Sequence, residues 1–98
     1  MNPTPMDAVT WYRDELTYEA FKKACADPEQ FPPTYAEWLR RAEEGTKEAQ
    51  RQGVVLRKAH YTVEEFLAWC KVHSKRADRM ARSQFACVKM MKEHKRRN

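Results

Sequence analysis

The segment that decides the fold is GVVLRKAHYTVEEF, residues 53–66. Gly53 is typical of a residue that ends a helix, because glycine enters the left-handed backbone region without strain. Residues 54–60 begin with β-branched side chains and then partly alternate, which predicts one short strand. Thr62 and Glu65 have the spacing of a capping box, in which each side chain accepts a hydrogen bond from the other residue's backbone amide. The segment therefore predicts the order helix, strand, helix.

A second capping pair lies upstream of this segment. Thr34 and Glu37 predict the start of the helix that Gly53 ends. The inward positions of this helix recur at helical spacing and are Tyr35, Trp38, Leu39, Ala42, Thr46 and Ala49. This regular spacing favours one continuous helix between the two signals.

A first helix is predicted from Thr4 to about Ala26. Thr4 and Asp7 have a weaker form of the capping spacing, and the Asp27-Pro28 pair stops the helix. The expected core face is Val9, Tyr12, Leu16, Ala20 and Ala24. Aromatic side chains also fall elsewhere on this cylinder, so a break near Thr17 is an alternative.

Two further helices are predicted after the strand. The third covers residues 62–73, and its inward side chains are Val63, Phe66, Leu67 and Cys70. The fourth runs from about Ala77 to Lys92 and is amphipathic. Its expected core face is Ala77, Met80, Ala81, Phe85, Val88 and Met91, with Arg79, Arg82 and Lys89 on the opposite, exposed face.

Together these elements predict a mainly α fold, with about four helices and one short strand at residues 54–60. Residues 1–93 are expected to form a single α-rich domain, and residues 94–98 a frayed basic tail. A strand without a second strand in the chain leaves backbone amide and carbonyl groups unpaired. We therefore expect a homodimer in which two copies of the strand pair antiparallel across a two-fold axis. The alternative is an extended connector packed on the helices.

Charge is distributed unevenly along the chain. Residues 1–49 contain 6 Lys/Arg and 10 Asp/Glu, a net charge of −4, whereas residues 50–98 contain 13 and 4, a net charge of +9. Ten of the basic residues lie between Lys71 and the C-terminus. Such a segment attracts anionic partners, whether nucleic acid, an acidic protein face or a lipid surface.

The sequence predicts no catalytic residue, no metal site and no cofactor. Cys70 and His73 lie three residues apart on a helix, but a structural zinc site needs four ligands in paired spacings. Ser74 and Ser83 lack the turn that exposes a nucleophilic serine, and there is no glycine-rich phosphate loop. We therefore expect a protein that is not an enzyme, in which the tryptophans contribute to the core.

The cysteines and the apolar runs indicate the compartment. Three cysteines, Cys25, Cys70 and Cys87, are an odd number at wide spacings, so no disulfide framework is expected. The N-terminal residues lack the pattern of a signal peptide, and the apolar runs are too short to span a bilayer. We therefore expect a cytoplasmic protein without a membrane role.

The functional hypothesis is a small helical interaction module whose basic C-terminal helix contacts an acidic partner. The expected partner-binding residues are Arg76, Arg79, Arg82 and Lys89. The alternative function is a nucleic-acid-binding regulator that uses the basic face of residues 75–97. A third interpretation is a solvated basic face that binds nothing.

Three segments carry a resemblance to other proteins. They are FPPTYAEWL at residues 31–39, GVV at residues 53–55 and EFLAWC at residues 65–70. They make residues 27–88 similar to a set of short uncharacterised bacterial proteins. The resemblance implies a bacterial, cytoplasmic protein and carries over no catalytic or binding residue. The basic tail after Met91 lies outside it.

Overall fold

Two parallel strands lie among four helices in the computed structural model, which describes the backbone of residues 6–97 and the side chains of residues 7–92. The elements in chain order are β1 (Met6–Thr10), α1 (Glu15–Ala24), a 3-10 turn (Pro28–Gln30), α2 (Tyr35–Arg51), β2 (Val55–Ala59), α3 (Val63–Val72) and α4 (Arg79–Arg97). The prediction of a mainly α fold is confirmed. Within residues 6–97, no helix is long and apolar enough to cross a membrane.

The predicted strand is present as β2, but it has a partner in the chain. β2 pairs in parallel with β1, from Met6 beside Val55 to Thr10 beside Ala59. The Trp11 amide donates to the Ala59 carbonyl at 2.9 Å and extends the ladder by one bond. The expectation of a strand without a second strand is therefore wrong, and β2 itself can pair with another copy only through its outer edge.

The predicted first helix is wrong over its N-terminal part. Residues 6–10 form β1, and Thr4 lies outside the described residues. α1 begins only at Glu15, because the Asp14 carboxylate accepts a hydrogen bond from the Thr17 amide at 2.8 Å and caps the helix there. Residues 6–10, before this cap, belong to the sheet instead of the helix.

The buried face of α1 differs from the predicted one. Leu16 was expected in the core and is 84% exposed, whereas Tyr18 and Phe21 are fully buried. No continuous helical face joins Val9 to Leu16, because the helix starts between them. The aromatic side of the short helix therefore turns to the core.

Local capping signals define α2 and α3 as predicted. The Thr34 hydroxyl accepts a hydrogen bond from the Glu37 amide at 3.1 Å at the start of α2. Gly53 follows this helix with a φ of 78°, the left-handed conformation that favours glycine. At the start of α3, Thr62 and Glu65 form both reciprocal hydrogen bonds of the capping box.

α4 packs across both strands, with a buried face that is turned relative to the predicted one. Its most buried residues are Ala81, Arg82, Phe85 and Ala86. Met80 and Met91, which were expected in the core, are 71% and 64% exposed. The helical backbone continues to Arg97, through most of the segment predicted as a tail, and Asn98 lies outside the described residues.

An aromatic cluster fills the space between the helices and the sheet. Its fully buried members are Tyr18, Phe21 and Phe66. Trp38 and Trp69 are partly buried and pack against this core, and the ring of Trp11 lies 5.1 Å from that of Trp38. The tryptophans therefore contribute to burial as expected.

Candidate binding groove at the open edge of the sheet

Arg82, which was predicted to lie on an exposed face, is only 7% exposed. Its guanidinium donates to both carboxylate oxygens of Asp27, from Nη1 to Oδ1 at 2.7 Å and from Nη2 to Oδ2 at 3.2 Å. It also lies 4.5 Å from the centre of the Phe31 ring. The predicted exposure is wrong because a buried bidentate ion pair satisfies both charges inside the protein. Arg82 is therefore a structural residue.

Asp27 anchors the first turn of α4. In addition to Arg82, its Oδ2 accepts a hydrogen bond from the Arg79 backbone amide at 2.8 Å. Burial by itself raises the pKa of Asp27, but the hydrogen bonds and charge of Arg82, together with the Arg79 amide, outweigh it and hold the pKa below its ordinary value. The loop after α1 is thus tied to α4 through one ionised carboxylate.

The other three predicted binding residues have different surroundings. Lys89 donates from Nζ to Glu65 at 2.9 Å, and this hydrogen bond is the largest cause that lowers the pKa of Glu65. Arg76 is exposed and makes one long hydrogen bond, 3.4 Å, to the Ala26 carbonyl. Arg79 is exposed, and its guanidinium has no ionic or hydrogen-bonded partner among the described residues. Arg76 and Arg79 are thus the two predicted cations that face solvent.

A cavity of about 540 Å³ opens between α2 and α4, beside β1. Its lining residues are Ala8, Val9, Thr10 and Tyr12 from the first strand and its continuation, Gln30, Phe31 and Pro32 from the loop, Trp38, Arg41 and Ala42 from α2, and Arg79, Arg82 and Ser83 from α4. No residue of β2 lines it, so the cavity lies at the outer edge of β1. We call these lining residues the edge groove.

The backbone of β1 presents hydrogen-bonding groups to the edge groove. The bond from the Trp11 amide to the Ala59 carbonyl shows that Trp11 directs its backbone groups toward β2. Backbone direction alternates along a strand, so Val9 also faces β2, whereas Ala8 and Thr10 direct their amides and carbonyls away from it. These outward groups have no hydrogen-bond partner among the described residues. The edge groove therefore contains an open strand edge.

Among the residues whose side chains are described, three arginines and no carboxylate line the edge groove. Arg82 is neutralised by Asp27, and Arg41 pairs with Glu37 at 3.3 Å on the solvent-exposed surface of α2, where such a pair contributes little. Arg79 has no counter-ion among the described residues. The groove is therefore positively charged, with Trp38 and Phe31 as apolar surface beside the cations.

Sequence analysis identified Arg79 but missed most of this groove. Arg41 was not singled out, and residues 6–10 were assigned to a helix. The run from Val9 to Tyr12 consists of β-branched and aromatic residues, which are common in strands. Together with the Asp14 cap that follows it, this run is a signal that favours a strand before α1.

Metal binding and thiol reactivity depend on the His, Cys, Asp and Glu side chains. Among the residues whose side chains are described, no group of three or more His, Cys, Asp or Glu is placed to hold a metal ion. Cys25 and Cys70 are buried and Cys87 is exposed, all as free thiols. Burial raises the pKa of Cys25 and of Cys70, so these two thiols are poor nucleophiles.

No protein-family model, curated protein or solved structure matches this chain. The resemblance over residues 27–88 stays a prediction from the sequence, and so does the bacterial origin that it implies.

Proposed function

We propose that this protein is a non-enzymatic interaction module that binds an acidic protein partner through the edge groove. The observation that carries the proposal is a groove lined by arginines and by no carboxylate, in which Arg79 has no counter-ion among the described residues. A positive surface of this kind speeds and orients the approach of an anionic partner. Trp38 and Phe31 provide aromatic surface beside the cations, and aromatic residues and arginine are the residue types enriched at protein interfaces.

Further exposed cations lie along the segment that leads into α4. Lys71, Lys75 and Arg76 are exposed at the corner where α3 gives way to α4. They precede Arg79 in the chain and have the same sign of charge. An acidic partner larger than the groove would therefore meet further positive charge at this corner.

The alternative function is a nucleic-acid-binding regulator that uses the basic face of residues 75–97. Within that segment, Arg82 is engaged by Asp27 and Lys89 by Glu65. Each engaged cation is one fewer to neutralise a phosphate, and phosphate neutralisation supplies most of the non-specific affinity. The edge groove, in contrast, places Arg79 beside an open strand edge, which suits an extended polypeptide and favours the acidic protein partner.

Fluorescence polarisation with three labelled probes separates the two functions. The probes are a short oligoglutamate peptide, duplex DNA and single-stranded RNA, each titrated at increasing salt. We expect the peptide to bind more tightly than either nucleic acid and to lose affinity as salt rises. Tighter binding of duplex DNA, with a log–log salt slope of about −0.9 per neutralised phosphate, would instead support the alternative. A peptide that does not bind at low salt would overturn the proposal.

A matched pair of charge reversals tests which surface is used. Arg79→Glu and Lys47→Glu change the net charge equally, but Lys47 is an exposed residue that shares a surface depression with Lys58 of β2 rather than lining the edge groove. We expect Arg79→Glu to weaken peptide binding by about tenfold or more, which corresponds to about 1.4 kcal/mol, and Lys47→Glu to change it far less. Equal losses would show that binding depends on net charge and not on the groove.

Self-association through β2 is a second part of the proposal. The backbone groups of Leu56 and Lys58 face away from β1 and have no hydrogen-bond partner among the described residues. Antiparallel pairing with a second copy across a two-fold axis satisfies them and leaves the edge groove open. Light scattering should then detect a dimer, and a strict monomer at high micromolar concentration would exclude it.

We place the protein in the bacterial cytoplasm as a further part of the proposal. Cys87 is exposed as a free thiol, a state that a reducing compartment maintains. The bacterial origin is supported by the resemblance of residues 27–88.

A further inference from the structure

We infer that the edge groove takes an extended acidic peptide segment, which adds to β1 as a third strand of the sheet. This inference rests on the proposed function, because it specifies the form in which the acidic partner binds. It depends on one juxtaposition, an open strand edge between two walls that both carry arginine.

The outer edge of β1 has unpaired backbone groups among the described residues. Ala8 and Thr10 direct two amides and two carbonyls into the groove, and none of these has a partner among the described residues. A strand edge with unpaired groups is a template for an incoming extended chain, which lies about 4.8 Å away and forms the same ladder. Peptide-binding proteins use this mode widely, with main-chain bonds for affinity and flanking pockets for selectivity.

Each of the two walls of the groove carries an arginine. Side chains of an added strand alternate between the two faces of the sheet. The Thr10 side chain reaches the Arg82 carbonyl of α4, whereas the ring of the next residue, Trp11, packs against Trp38 of α2. Because consecutive side chains of an extended chain point to opposite faces, α4 with Arg79 lies on one face and α2 with Arg41 on the other. Two consecutive acidic residues of the peptide would therefore reach opposite walls, and each would meet an arginine. The charge pattern thus selects a run of acidic residues in an extended chain.

A second copy of this protein is a poorer occupant of the same edge. Pairing β1 with β1 across a two-fold axis would bring two grooves together, each of which has arginines and no carboxylate among its described lining residues. Like charges that face each other across an interface oppose association. The acidic peptide is therefore the occupant to which the geometry points.

Backbone-modified oligoglutamate peptides distinguish strand addition from simple charge attraction. Three peptides of equal length and charge are compared with the unaltered protein: unmodified, N-methylated at every second residue, and N-methylated at every residue. Alternate methylation leaves one edge of the peptide able to donate hydrogen bonds, whereas complete methylation leaves none. We expect the alternately methylated peptide to keep most of the affinity and the fully methylated one to lose at least about tenfold, a loss of about 1.4 kcal/mol.

Amide hydrogen exchange by NMR provides a readout on the protein itself. The amides of Ala8 and Thr10 should exchange rapidly in the free protein and slow when the unmodified peptide is bound. Val9 serves as the internal control, since its amide already faces β2. Peptide binding that leaves Ala8 and Thr10 unprotected, or equal affinity for all three peptides, would overturn strand addition but leave the proposed function intact. No binding of any of the peptides would overturn both.

Discussion

The ion pair between Asp27 and Arg82 joins side chains that are 55 positions apart in the chain. Both residues are buried at 7% exposure, so each charge relies on the other for the solvation that it loses. A sequence pattern shows that Arg82 is basic, but its partner lies too far along the chain to be recognised. For this reason the helical periodicity that placed Arg79 correctly on the surface placed Arg82 there wrongly.

Removal of either partner should destabilise the fold. We expect Asp27→Ala and Arg82→Ala each to lower the free energy of unfolding by about 3–5 kcal/mol, because each leaves an uncompensated buried charge. Arg79→Ala is the control, with an expected change within about 0.5 kcal/mol, because its guanidinium is exposed. Urea unfolding measures all three values. If Arg82→Ala is no more costly than Arg79→Ala, the pair does not hold α4 in place.

The same carboxylate makes stability depend on pH. The pKa of Asp27 in the folded protein is below its ordinary value of 3.8, so its stabilising contribution is complete above that value and is lost as the pH falls further, through the folded pKa. We therefore expect the stability difference between the parent protein and Asp27→Asn to shrink as the pH falls below about 4. Urea unfolding at a series of pH values measures this difference, and a constant difference would contradict the assignment.

At the scale of elements, local capping signals predicted the starts of α2 and α3. β1 was not predicted, because the strand that pairs with it is distant in the chain. Thr62 and Glu65 act within four residues of each other, so their geometry is encoded locally. β1 is stabilised by β2, which lies more than forty residues away in the register that pairs Thr10 with Ala59. The spacing of Thr4 and Asp7 resembles that of a capping pair. For this reason the predicted helix began too early and covered this strand. The edge groove could not be predicted without β1, since β1 forms its base.

Two substitutions in α1 test where this helix begins. Leu16→Ala should change the free energy of unfolding by less than about 0.5 kcal/mol, because the side chain is exposed. Phe21→Ala, in the same helix, should cost about 3–5 kcal/mol, because the ring is fully buried. Thermal or urea denaturation provides both values. A buried leucine replaced by alanine costs at least about 2 kcal/mol of unfolding free energy. A loss of that size for Leu16→Ala would support the longer helix and its predicted core face.

At the scale of the whole molecule, the fold compensates part of the positive charge that the second half of the chain carries. The basic half of the sequence carries a net charge of +9, but ion pairs with Asp27 and Glu65 engage two of the four cations that were expected to bind a partner. Arg76 and Arg79 are left in solvent, and Arg79 lines the groove that contains the open strand edge. The excess of positive charge could therefore be predicted from the sequence, whereas the position of the uncompensated cations required the fold.

The most direct test of this account is to map where an acidic peptide binds. Backbone amide shifts of the ¹⁵N-labelled protein are followed during titration with the oligoglutamate peptide. The account predicts that the largest shifts belong to Ala8, Thr10 and Arg79, at the edge groove, with little change at Lys47. Shifts concentrated on α1 or on the far half of α2, or no saturable shifts at low salt, would contradict it.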